Sequence, residues 1–152
     1  MSVNGFDDSK NRKEVYTKEE ADALRLGTIL FENDEGTKED ITLNESVEEY
    51  NQIEVHYTRK REDGKNEEYS SSKFYAPNGK KVALTTIFYS ETSGTGKIDI
   101  VQVMSKVLNV NGNSISTHEE GYVNITENGI QNIESVKEKK PGIYITRIVG
   151  YK

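Results

Sequence analysis

Gln52-Ile53-Glu54-Val55-His56-Tyr57-Thr58-Arg59 alternates polar and apolar residues as far as Thr58. Side chains in a strand point to opposite faces in turn, so Ile53, Val55 and Tyr57 belong to one face and Glu54, His56 and Thr58 to the other. One covered face and one wet face is the mark of an antiparallel sheet packed on a core. Asp63-Gly64 follows at once, and this dipeptide suits the mirror-image hairpin turn, which needs positive φ. Glu67 to Tyr75 then returns as the partner strand.

The same grammar runs outward in both directions. Ile29 and Phe31 alternate before Asn33-Asp34-Glu35-Gly36 turns the chain, and Ile41 and Leu43 follow, with Asn44 to Tyr50 as a connection. Pro77-Asn78-Gly79 marks another turn, where proline presets the first φ. Lys81 to Tyr89 places Val82, Leu84 and Phe88 on one face, and Ser93 to Gly96 is a loop. Ile98 to Val110 is the longest apolar run, which suggests a central strand with a bulge or bend. Asn111-Gly112 and Asn128-Gly129 are further hairpin turns, framing Ser114 to Ser116 and Tyr122 to Ile125, and Lys137 to Pro141 is a charged loop. Ile143 to Val149 closes the series, with Ile143, Ile145 and Val149 expected on one face and Tyr144, Thr146 and Ile148 on the other. About eight to ten short strands with regular turns predict an all-β fold, an antiparallel β-sandwich or jelly-roll-like domain.

A short N-terminal helix is expected before it. Thr17 with Glu20 forms a capping box, Ala21, Ala23, Leu24 and Leu26 carry the helix, and Gly27 stops it. So short a helix is unstable alone and must pack on the domain or on sister helices. The divisions are a polar, mobile segment over 1–14, a helical linker over 15–26 and the sandwich over 27–152.

Composition narrows the function classes. Only 33% of the 152 residues are apolar, which suits a thin two-layer structure or a subunit that completes its core with neighbours. The net charge is −6. Arg59-Lys60-Arg61 and Lys137 to Lys140 have acidic neighbours, so no basic stripe offers itself to nucleic acid. With no cysteine there is no disulfide or thiolate metal site. No secretion signal is seen, and no run approaches the ~20 apolar residues of a membrane span.

Motifs for chemistry fail on inspection. His118-Glu119-Glu120 opens like a zinc-protease helix, but Tyr122 stands where the second histidine is needed. Gly94-Thr95-Gly96-Lys97 lacks the remaining phosphate-loop residues, since Glu91 and Ile98 occupy the key positions. His56 reads as a solvent-facing strand residue. Glu119, Glu120, Asp99 and Glu54 are available as a hydrolytic pair, but a catalytic acid needs burial, and acidic residues here fall mainly in loops and on polar faces. Asn44-Glu45-Ser46 and Asn124-Ile125-Thr126 are chance glycosylation matches in a chain without a secretion signal. The tyrosines (Tyr57, Tyr69, Tyr75, Tyr89, Tyr122 and Tyr144 on strands) mostly pack, yet two or three could serve as plates for sugar rings.

Two stretches resemble a known group. Val15-Tyr16-Thr17-Lys18-Glu19-Glu20-Ala21-Asp22-Ala23 resembles the linker that leads a trimeric stalk into a globular tip in bacteriophage tail and head fibre proteins. Gly27 to Asn33, Gly36, Ile41-Thr42-Leu43, Tyr50 to Tyr57, Pro77-Asn78-Gly79-Lys80 and Ile145 to Lys152 are similar to the C-terminal β domain of phage tail, baseplate or head-fibre proteins of Gram-positive hosts. The resemblance spans about residues 15 to 152 and rests on order and spacing. It implies a homotrimeric fibre tip on the virion, made in the bacterial cytoplasm, touching a host cell-surface glycan, with no catalytic residue, cofactor or metal to carry over. Met1 to Glu14 departs from that pattern by offering no heptad stalk, so a small standalone fibre protein or a fragment of a longer one is expected. The alternatives are a structural virion protein that binds other phage proteins and, third, a saccharide-degrading enzyme. The expected ligand residues are Tyr89, Asn111, Asn113 and Tyr122, on or near loops at one end. Val15, Leu24 and Leu26 are the expected oligomer contacts.

Overall fold

The computed structural model describes residues 15–60, 66–91, 94–133 and 142–152. The hairpin expected at Asp63-Gly64 and the loop expected from Lys137 to Pro141 lie outside them, as does the segment 1–14. Helix α1 (Lys18–Leu26) is followed by β1 (Thr28–Thr37), β2 (Ile41–Thr42), a single 3₁₀ turn (Val47–Glu49), β3 (Gln52–Lys60), β4 (Asn66–Tyr75), β5 (Lys80–Glu91), β6 (Ile98–Asn111), β7 (Ser114–Thr126), β8 (Gly129–Ile133) and β9 (Gly142–Tyr151). One sheet has the order β1-β9-β3-β4, and the other β2-β7-β6-β5 with β8 beside the distal half of β7. Every described pairing is antiparallel. The all-β sandwich read from the turns is the fold of the molecule.

The capping box forms as the sequence dictates. Thr17 N–H donates to Glu20 Oε2 at 2.9 Å, and Glu20 N–H donates to Thr17 Oγ1 at 3.1 Å. Gly27 ends the helix with φ 77°, a value that favours glycine, and a side chain there would collide with Val149 and Tyr151. The helix therefore docks on β9 of its own domain.

The core lies between the sheets. Leu30, Ile53, Val55, Ile143, Ile145 and Ile148 face Leu84, Met104, Leu108, Val110 and Ile115, all essentially inaccessible. Each such side chain contributes about 1.5–3 kcal/mol through burial. Strand β3 is the spine. Its Tyr57 hydroxyl donates to the Thr85 carbonyl in the opposite sheet at 2.8 Å, and Arg59 stacks on Phe88 at 4.0 Å while donating to Gln102 Oε1 at 2.9 Å.

Three expectations need correction. In β9, Thr146 is an extra residue: Tyr57 pairs Ile145 and His56 pairs Arg147. A bulge reverses the alternation beyond it, so Ile148 faces the core and Val149 faces outward beneath Gly27. Asn33 to Gly36 is a wide excursion within β1 rather than a turn between strands, since Glu32 pairs Arg147 and Thr37 pairs Ile145. Ser114 to Ser116 and Tyr122 to Ile125 belong to one strand, β7, which carries a bulge of its own: Lys106 pairs Glu120 while Leu108 pairs Thr117. The long apolar run is central as expected, lying between β5 and β7.

Tyr50 closes one end of the sandwich. Its ring lies on Gly150, where an added Cβ would sit 2.6 Å from the ring, and its hydroxyl bonds the Glu45 carboxylate. Burial, then the Glu45 bond, pushes the Tyr50 phenol above 10.0. Burial, then the Glu120 charge, does the same for Tyr144. A phenol whose folded pKa is raised contributes stability below pH 10.0, and that contribution is lost as pH climbs through the folded value. Spectrophotometric titration should show a late-ionising fraction among the nine tyrosines, reduced in Tyr50→Phe and Tyr144→Phe. An unchanged late fraction in both variants contradicts the assignment.

Candidate functional site

The outer face of the first sheet carries a cleft of about 370 Å³, lined by Glu32, Asp34, His56, Tyr57, Tyr69, Ser70, Thr146 and Arg147. Strand alternation builds it. With Ile53, Val55 and Tyr57 committed to the core, Glu54, His56 and Thr58 must point outward. Register then sets Glu32, Arg147, His56 and Ser71 side by side across four strands, with Tyr69 beside Thr58 one step along. The excursion in β1 brings Asp34 to the rim.

The polar groups are loosely tied to one another. His56 Nε2 lies 2.6 Å from Glu54 Oε1, whose other oxygen is 3.7 Å from Lys73 Nζ. Thr146 Oγ1 donates to the His56 carbonyl at 3.3 Å. Arg147 Nε makes no hydrogen bond among the described residues, the Glu32 carboxylate standing 3.8 Å away. In the same cleft Tyr69 is 70% exposed. A largely exposed aromatic ring beside acceptors and a guanidinium donor can hold a ring that has one apolar face and a rim of hydroxyls.

The residues expected from the sequence do not come together here. Tyr89 is on the outer face of the second sheet, because Thr86 and Phe88 beside it face inward. Tyr122 pairs with buried Met104 and packs against the core, on the opposite face from Tyr89. Asn111 and Asn113 are exposed at the other end of the sheet. Tyr89 pairs Val101, so Asn111 lies ten residues along β6, roughly 33 Å away. These four cannot form one site. The asparagines flank a loop cluster of their own, where Gly112 N–H donates to Asn78 Oδ1 at 2.9 Å and Asn78 Nδ2 donates to Glu48 Oε1 at 3.1 Å. Of the expected oligomer contacts, Val15 and Leu26 are exposed, and the Leu24 side chain lies outside the described residues.

No family model matches the chain, and no curated protein matches it either. Function has to be read from the residues.

The candidate carboxylates separate by environment. Asp99 is exposed near the tip of the β5–β6 hairpin, the Glu119 side chain lies outside the described residues, and Glu54 is engaged at the cleft. Glu120 is buried between the sheets. Its Oε2 lies 3.2 Å from Lys106 Nζ and 3.4 Å from Lys38 Nζ, and its Oε1 accepts the Ile143 N–H at 2.7 Å. That N–H lies beyond the last rung between β1 and β9, at Thr37 and Ile145, so the carboxylate replaces a missing strand. Glu120 holds the two sheets together and has no open face toward a substrate. Its segment is strand, not the helix a zinc-protease motif requires. The hydrophobic pattern hid both findings: the cleft depends on pairings between strands far apart in sequence, and Glu120 turns inward only because β7 bulges. The sole signal for the cleft was the polar alternation of β3 itself.

Proposed function

We propose that this chain is a non-enzymatic receptor-binding module of the phage fibre kind, whose first sheet offers its outer face to a host cell-surface saccharide. The observation that carries the reading is the exposed Tyr69 ring lining one cleft with Glu32, Asp34, His56 and Arg147. The ring covers the apolar face of a sugar, carboxylates accept from its hydroxyls, and the part-exposed Arg147 guanidinium donates to a ring or carboxylate oxygen. Such a shallow site binds weakly alone, and several linked copies on a virion raise the avidity by orders of magnitude without new contacts. Exposed Val15 and Leu26 at the N-terminal helix support association of sister chains there, as in a trimeric tip. The pairing of Glu54 and Glu120 with cations supports a binding role over a hydrolytic one.

The purified domain should be retained on Gram-positive cell-wall preparations and score on a glycan array. Tyr69→Ala should lower retention about tenfold or more with the circular dichroism spectrum unchanged, which corresponds to about 1.4 kcal/mol. Retention equal to that of the parent chain would remove the cleft from consideration. Absence of retention on every wall and glycan would favour a structural virion role.

A further inference from the structure

The outer face of the second sheet is an apolar plane with nothing on it among the described residues. Register aligns Ile87, Val103 and Val123 in one row across β5, β6 and β7. The next row is Tyr89, Val101, Ile125 and Ile130, across β5 to β8. Ile87 is 58%, Tyr89 63%, Ile125 41% and Ile130 69% exposed. Toward the middle of the sheet the same face continues with Thr85, Ser105 and Gly121, then Ala83 and Val107. No charged side chain enters these rows, although 30% of the chain is charged. The polar groups at this end are on the inner face, where they are paired among apolar neighbours: Gln102 Nε2 donates to Asn124 Oδ1 at 3.0 Å, and Arg59 is held by Gln102.

We infer that this face is the interface with a second copy of the chain. The two rows together form a contiguous exposed apolar patch of the size class that marks an interaction site, about several hundred Å². Two such faces stacked on each other reach toward the roughly 1,200 Å² at the lower bound of a specific and stable interface. A flat pair of apolar rows complements itself about a two-fold axis, whereas a different protein or a glycan would be met by the polar and charged groups that mark non-obligate recognition. An anionic lipid surface would need a basic rim, and this chain carries a net charge of −6. The charged stretch Glu134 to Lys140 (Glu-Ser-Val-Lys-Glu-Lys-Lys) is compositionally unsuited to cover the plane. Stacking two copies here would also supply the apolar burial that a 33% apolar sequence lacks for itself.

The inference is independent of the saccharide reading, because it concerns the other sheet. Sedimentation velocity of the full chain should show self-association across about 1–100 µM, the range expected of a minimal interface. The double variant Ile87→Lys/Ile130→Lys should lose this concentration-dependent step and keep only the association that Val15 and Leu26 support, with an unchanged circular dichroism spectrum. A second variant, Val101→Glu, should do the same should the first lose its fold. Tyr69→Ala should associate like the parent, so loss of glycan retention and loss of association remain separate readouts. A parent chain that shows no concentration-dependent association up to about 100 µM overturns the inference, and so does association that survives all three substitutions undiminished in folded protein. Flotation of the monomer with anionic phospholipid vesicles would assign the face to lipid instead and equally overturn it.

Discussion

Glu120→Gln should lower the stability of the domain by about 3–5 kcal/mol, because it strips the counter-charge from a buried lysine. Lys106 is 2% exposed and faces Glu120 at 3.2 Å, while Lys38 reaches the same oxygen at 3.4 Å. The amide keeps the shape and can still accept the Ile143 N–H, so the substitution isolates charge from packing. For a domain of this size the loss corresponds to a fall in Tm on the order of 10 °C. Desolvation already holds the Lys106 ammonium below its usual range of 10.5, and Glu120 is the main influence opposing it. Without Glu120 the lysine is pushed further down. A base with a folded pKa below its unfolded one binds fewer protons folded than unfolded between the two values, so stability rises with pH across that window. The deficit of Glu120→Gln should therefore shrink as the pH is raised from about 7 toward 10, short of tyrosine ionisation. Adding Lys106→Met should restore most of the loss, since exchanging a buried ion pair for neutral groups is often close to neutral. Denaturant unfolding of the two variants checks this. A loss below about 1 kcal/mol for Glu120→Gln would show that the cluster is solvated enough to do without the charge.

How much of this was legible in the sequence depends on whether a feature is local. The capping box at Thr17 and Glu20, the turns at Pro77-Asn78-Gly79, Asn111-Gly112 and Asn128-Gly129, and the alternation of Gln52 to Tyr57 are settled within a few residues and appear in the structure as read, whereas Thr58, expected on the wet face, is fully buried. Lys106 and Glu120 are not of that kind. Counting from buried Ile115, strict alternation turns Glu120 outward, and only the bulge between Thr117 and Glu120 brings it in beside Lys106. Bulges leave no dependable mark on composition, since one extra residue on one strand shifts every later side chain to the other face. The cleft was hidden for a related reason. Glu32, His56, Tyr69 and Arg147 come from four strands, and His56 alone looks like any solvent-facing strand residue. Register supplies what alternation cannot. The same register shows why Tyr89 and Tyr122, similar in sequence context, face opposite sides of one sheet.

Ile148→Ala should cost about 2–5 kcal/mol, the usual price of emptying a fully buried aliphatic position. Thr146→Ala, two residues away, should cost about 1 kcal/mol or less, the worth of its single bond to the His56 carbonyl. Simple alternation from Ile143 and Ile145 puts both residues on the same outer face and predicts a small loss for each. The bulge predicts a large loss for one only, so the pair measures the register directly. Deletions sharpen the contrast, because each shortens β9 by one residue. Removing Thr146 leaves Ile145 opposite Tyr57, Arg147 opposite His56 and Ile148 opposite Val55, and the strand becomes regular with its core set intact. Removing Val149 instead carries Gly150 outward and drives Tyr151 beneath the Tyr50 ring, where even a Cβ does not fit. The Thr146 deletion should fold cooperatively and the Val149 deletion should not, as followed by thermal melting and near-ultraviolet circular dichroism. Equal damage from the two would mean that Thr146 is an ordinary rung, and with it would go the inward placement of Ile148 and the outward rung of Glu32, Arg147 and His56 on which the cleft is built.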